Sequence, residues 1–240
     1  MRGALVAWFV AIAIAMPAAA HAAAGVNLSW DECHGDQPTS NRTFACDTND
    51  GAQVIVASFV APGGVTQLLG AEIVLDLLIA EAIPDWWRFK ASGSCRQSAM
   101  SMNFIPASPE LHCRDPWALQ GVGGITAYSV GYGGSPRRAR IYAFVILTPD
   151  FVLPIEENVE YFAFNLVISN MRTTGMDACA GCSLGVRLLL NSIKLVQPVG
   201  VGDFMLATSA QPASNQLYWQ AGATDPVRTT TWGSVKSLYR

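Results

Sequence analysis

Residues Glu72 to Ile79 alternate: Ile73, Leu75, Leu77 and Ile79 fall on one side of an extended chain, Glu72 and Asp76 on the other. A period of two sends successive side chains to opposite faces, so this segment is a strand with one face in a core. Glu160 to Ser169 repeats the pattern, with Phe162, Phe164, Leu166 and Ile168 inward. Gln53 to Val60, Ile141 to Leu147 and much of Leu184 to Val196 are apolar on both faces and are expected centrally in a sheet. Shorter strands are expected at Val26 to Trp30, Trp86 to Phe89, Met100 to Ile105, Ile125 to Tyr132, Phe204 to Thr208 and Gln216 to Gln220. Turn chemistry separates them, as at Asn49-Asp50-Gly51, Pro62-Gly63-Gly64, Gly121 to Gly124 and Gly133-Gly134. Together they predict an all-β chain, a two-sheet antiparallel β-sandwich or jelly roll. The one short helix expected is C-terminal, where Thr231 caps Trp232 to Arg240 and Trp232, Val235 and Leu238 or Tyr239 share a stripe.

The N-terminus carries Arg2, an apolar run from Ala4 to Met16, then Pro17 and small residues ending Ala20-His21-Ala22. That order is the pattern of a cleavable export signal over 1–22. The apolar run is short for a membrane span, so no span is expected after cleavage, a retained anchor being the alternative. A single domain over 23–227 and a tail over 228–240 complete the expected organisation. All six cysteines, Cys33, Cys46, Cys95, Cys113, Cys179 and Cys182, follow the leader, and an even number in an exported chain reads as disulfides. Six cysteines allow about 15 pairings, and their clustering in sequence favours the local one: Cys33 with Cys46, Cys95 with Cys113, Cys179 with Cys182.

Several strings are similar to a group of exported bacterial proteins that have no assigned activity. They include Thr43-Phe44-Ala45-Cys46-Asp47-Thr48-Asn49, Trp86-Trp87-Arg88-Phe89, Cys179-Ala180-Gly181-Cys182 with Leu190-Asn191-Ser192-Ile193 after it, and the ending from Thr230 to Arg240. The resemblance implies export and a bacterial source. It carries over no catalytic residue.

Charge points away from nucleic acid, since the chain is net −3 and its only basic knot is Arg137, Arg138 and Arg140 beside a Gly-Gly-Ser-Pro turn. That knot reads as the solvated flank of a hairpin. Cys179-x-x-Cys182 reads as a structural disulfide; a redox pair would need a helix N-terminus, and a zinc site two more ligands. His34 and His112 sit beside cysteines, and no serine–histidine or metalloprotease motif accompanies them. No metal and no cofactor is therefore expected. Asp47 to Gly51 resembles a calcium loop but lacks its glycine spacing and final glutamate, so a hairpin turn is expected there.

The aromatic residues carry the binding expectation. Consecutive rings at Trp86 and Trp87 on a strand would face opposite sides, leaving one exposed for a sugar or a partner protein, with Trp117, Tyr132, Tyr218 and Trp219 as companions. The expected function is accordingly a secreted, non-catalytic binding or cell-surface module whose partner is a polysaccharide or a surface protein. A carbohydrate-active hydrolase using two carboxylates from separate strands, and a subunit of an extracellular assembly, are the alternatives.

Overall fold

The computed structural model describes residues 24–36, 38–108 and 111–220. The expected leader and C-terminal helix lie outside them. Eleven strands are described: β1 (Gly25–Trp30), β2 (Asn41–Arg42), β3 (Ala52–Val60), β4 (Gly70–Ile79), β5 (Met100–Asn103), β6 (Val122–Val130), β7 (Arg138–Ile146), β8 (Glu160–Ser169), β9 (Val186–Val196), β10 (Phe204–Leu206) and β11 (Gln216–Trp219). They form a sandwich of two sheets. The smaller runs β1-β3-β8-β5, and the larger β2-β11-β9-β4-β7-β6, with β10 also on β9. Neighbours are antiparallel except β2 and β11, which run parallel.

Alternation does the work the sequence predicts in β4, where Ile73, Leu75, Leu77 and Ile79 are buried, and in β8, where Phe162, Phe164, Leu166 and Ile168 are. β7 lies centrally as expected, between β4 and β6, but only one of its apolar faces is covered: Ala139, Ile141, Ala143 and Val145 point inward, while Tyr142, Phe144 and Ile146 are exposed. A sandwich gives each sheet one inner face, so a strand apolar on both sides must show one of them unless a loop covers it.

Trp86 to Phe89 is not a strand. Asp85–Trp87 is a single 3₁₀ turn after Pro84, and the turn lets both indoles enter the core side by side, with centroids 4.8 Å apart. Alternation would have sent them to opposite faces.

The disulfides join all six cysteines, with a different pairing from the one their spacing favours. Cys33 pairs with Cys113, Cys46 with Cys182, and Cys95 with Cys179. The paired Cα atoms lie 6.0, 6.0 and 6.1 Å apart, within bridging range. Sequence proximity fails as a guide because the connection from β8 to β9 crosses between the sheets. It meets the segment before β3 at one cysteine and the segment before β5 at the other. Three such bonds are consistent with an extracellular or secreted chain. Among the described residues no helix is long and apolar enough to cross a membrane.

Peptide mapping of the unreduced protein should recover the 33–113, 46–182 and 95–179 links; a 179–182 link would refute this topology. Because Cys46–Cys182 spans 136 residues, its removal by Cys46→Ser with Cys182→Ser is expected to cost about 3–5 kcal/mol in denaturant unfolding.

Candidate functional site

The residues named for binding separate into an aromatic plug, an outward face, and Trp117, which is buried apart from both against Phe104. At one end of the sandwich Trp30, Phe44, Trp86, Trp87, Phe89 and Trp219 form a continuous aromatic plug, with Trp219 4.9 Å from Trp86 and 5.2 Å from Trp87 between centroids. Trp86, Trp87, Trp117 and Trp219 are at most 1% exposed, which removes all four from any binding surface. Their N–H groups are accounted for inside. Trp87 donates to the Gly181 carbonyl at 3.2 Å, Trp219 to the Cys182 carbonyl at 2.7 Å, Trp86 to Thr173 Oγ1 at 3.1 Å and Trp117 to the Ala163 carbonyl at 2.9 Å. Gly181 has φ +115°, and a Cβ there would stand 2.4 Å from Pro84 Cγ. The glycine between the two cysteines thus lets the crossover settle onto the plug.

Arg96 is buried in the same place. Its guanidinium lies 3.4 Å from the centroid of Trp86 and 5.4 Å from that of Phe89, and donates to the carbonyls of Trp86, at 3.0 Å, and Ser169. Burial pulls its pKa down to about 9. Tyr128, whose hydroxyl donates to the Trp87 carbonyl, is pushed well above its usual value by burial. Both groups close the plug.

Other ionisable groups named from sequence hold loops. Glu160 accepts from the backbone N–H of His34 and of Gly35, each at 2.9 Å, and from Ser58 Oγ. Burial lowers the His34 pKa, opposed by the nearby Glu160. Asn49, from the calcium-like string, accepts from the N–H of Thr173 at 2.7 Å and of Thr174 at 3.0 Å, so it buttresses the crossover. A cavity of about 160 Å³ lies between His34 and Gln211–Gln216, and one of about 70 Å³ beside Cys46 and Cys182. Pockets that enclose small organic ligands are usually some 300 Å³ or more.

The second place is the outward face of the larger sheet. Register sets Tyr142, Phe144 and Ile146 of β7 against Ala127, Gly124 and Val122 of β6 on one side, and against Val74, Glu72 and Gly70 of β4 on the other. The large apolar groups here are open to solvent: Val122 is 68% exposed, Ile146 54%, Phe144 39% and Tyr142 38%. Next along β7, Arg140 forms a two-point ion pair with Asp76 at 2.6 and 2.7 Å. Its guanidinium lies 3.6 Å from the centroid of Tyr132 and donates to that hydroxyl. The hydrogen bonds to Asp76 hold the Arg140 pKa above its ordinary value. Arg140 is therefore an anchored part of the face and not a solvated hairpin flank, while Arg137 and Arg138 beside it remain exposed.

Of the six aromatic residues named from sequence, only Tyr132 and Tyr218 reach this face. Tyr132 is exposed, and Tyr218 is half-buried opposite Arg187 on β9. The sequence does not single out Tyr142, Phe144 and Ile146, because a run apolar on both faces marks a central strand without saying which face is left open. The signal was in the sequence: an apolar run on both faces of a strand, in a fold whose sheets have only one partner each.

No family model matches the chain, and no curated protein matches it. Among solved structures it aligns with a cohesin module from Clostridium perfringens ATCC13124 family 33 glycoside hydrolase, at 12% identity and a TM-score of 0.37, over 82% of this chain and 97% of that one. That degree of similarity transfers no partner, residue or activity.

Arg96→Ala removes two carbonyl contacts and the cation over Trp86 without touching the outward face. It is expected to cost about 3 kcal/mol in denaturant unfolding. A loss within experimental error would show that the plug does not depend on the buried guanidinium.

Proposed function

We propose that the chain is a non-catalytic binding module of the cell exterior, and that it takes a protein partner on the outward face of its larger sheet. The observation that carries this reading is the exposed row of Tyr142, Phe144 and Ile146 with Val122 alongside, continued by the Arg140, Asp76 and Tyr132 cluster. Exposed apolar groups gathered on one side of a folded protein mark interaction surfaces. Tyrosine and arginine are among the residues that carry most of the binding energy at protein interfaces, and phenylalanine is enriched there.

Chemistry along β7 narrows the partner. One end of the row is apolar, at Ile146 and Val122, while the other carries Arg137 and Arg138 beside the paired Arg140. The fitting partner surface has an apolar centre and carboxylates at one edge. Three disulfides support a location outside the cytoplasm.

The non-catalytic part of the proposal is supported by how the carboxylates are used. Asp76 is paired with Arg140, Glu72 and Asp203 with Lys194, Glu156 with Arg114, and Glu160 caps backbone amides. A hydrolase working through two acids needs them facing a common cleft. The sugar-stacking reading loses its motivation with the burial of Trp86, Trp87, Trp117 and Trp219.

The test is a double variant, Tyr142→Ser with Phe144→Ser, screened beside the parent against immobilised surface proteins and a polysaccharide array. Both rings are exposed, so unfolding stability should change by about 1 kcal/mol or less. Saturable binding to a protein, weakened about tenfold or more in the variant, is expected. Saturable polysaccharide binding, or protein binding that the variant leaves intact, would overturn the proposal.

A further inference from the structure

The edges of the two sheets are treated unequally. β1, at one edge of the smaller sheet, is covered along its free side: Val26 N–H donates to Thr208 O at 3.0 Å, Leu28 to Ser214 O at 2.7 Å and Trp30 to Thr39 O at 3.0 Å. The other edges are brief, with β5 four residues long and β2 two. β6 is different. It is nine residues long, and among the described residues its backbone pairs with β7 alone.

Long free edges are usually blunted by charge or proline, because their unpaired N–H and C=O groups invite another strand. Val122–Val130 contains neither charge nor proline; the bulge between Ile125 and Ala127 is its one blunting device, with regular pairing to β7 on either side of it. A strand that pairs antiparallel with its own copy about a two-fold axis brings its central residues against themselves, so a charge there would meet a like charge. An uncharged edge is self-complementary in this respect.

Two glycines lie in β6, and only one is explained by the single chain. A Cβ on Gly123 would fall 2.0 Å from the Phe144 carbonyl oxygen, so no larger residue fits. A Cβ on Gly124 would meet nothing within 4 Å, and its φ lies outside the range that favours glycine. Glycine inside a strand weakens it and often marks close approach by another backbone. The residues of β6 set against the outward side chains of β7 after Val122 are Gly124, Ala127 and Ser129, all small, while Thr126, exposed in the bulge, donates to the Tyr142 carbonyl at 3.0 Å.

We infer that β6 is the pairing edge for a second copy of this chain, the two β6 strands running antiparallel about a two-fold axis and joining the larger sheets into one. Small outward residues from each copy meet at the seam. The rows of Tyr142, Phe144 and Ile146 then lie on the same side of the joined sheet, which doubles the face proposed to bind a partner. The pairing does not rest on that proposal, since it uses the edge of the sheet and not the partner.

Sedimentation equilibrium of the oxidised, exported protein tests it, with amide exchange followed as a function of concentration. A dimer is expected, and exchange within 122–130 should slow as dimer forms. Ala127→Lys and, separately, Gly124→Lys should raise the dissociation constant about tenfold or more, because each lysine stands at the seam in both copies. Mixing the Ala127→Lys and Ala127→Glu proteins should restore association. A monomer up to about 1 mM overturns the inference. So does a dimer whose 122–130 exchange is independent of concentration, which needs no variant to fold. A dimer that both folded lysine variants leave unchanged does so too. Loss of partner binding with the dimer intact would count against the proposed function alone.

Discussion

Burial of tryptophan N–H groups against the β8–β9 crossover is the constraint on which this structure turns. An indole is large enough to fill the end of a sandwich, but burying its N–H is costly without an acceptor, and of the plug's tryptophans Trp30 alone goes without one. Here Trp87 and Trp219 find theirs in the consecutive carbonyls of Gly181 and Cys182. The crossover can present those carbonyls only if it is held in place. Cys179 and Cys182 hold it by bonding to two different parts of the chain, and Gly181 lets it come close. Plug, crossover and disulfides are one device. Arg96 belongs to it as well, supplying N–H donors to carbonyls at the far side of Trp86.

That device explains why the Cys-x-x-Cys spacing is neither a redox pair nor a local staple. A redox pair needs its two sulfurs to meet each other. Here each sulfur faces away from the other toward a separate loop, and the two intervening residues serve the tryptophans. The Ala180 carbonyl accepts from the Trp86 backbone N–H at 2.9 Å, and the Gly181 carbonyl from the Trp87 indole. Spacing in sequence records only how far apart two residues can be. What each one meets is decided by where the crossover lands.

The same distinction separates what was legible in the sequence from what was not. Strands with one polar face, such as Glu72 to Ile79, announce both their type and their orientation, and β8 runs from Glu160 to Ser169 as its alternation predicts. The 3₁₀ turn at Asp85–Trp87 was illegible as a turn because aromatic residues favour strands, and only tertiary contact with the crossover turns both rings inward. Cysteine pairing was illegible for a related reason: all three bonds join segments 80 or more residues apart.

The outward face was half legible, and the missing half is instructive. A strand apolar on both sides has two explanations, a sheet covered twice or a sheet covered once with something still to come. In a parallel α/β fold helices supply the second cover. A sandwich has no such layer, so the apolar outer half of β7 needs loops, a partner or a second copy. The smaller sheet is covered on both sides, since every residue of β3 from Ile55 to Val60 is buried. The larger sheet is not. Its face keeps Asp76 and Arg140 locked together at the centre, which removes the cost of desolvating either charge alone when another surface arrives. Exposed rings beside a charge pair already satisfied internally make a surface that can be covered without leaving that pair unmatched.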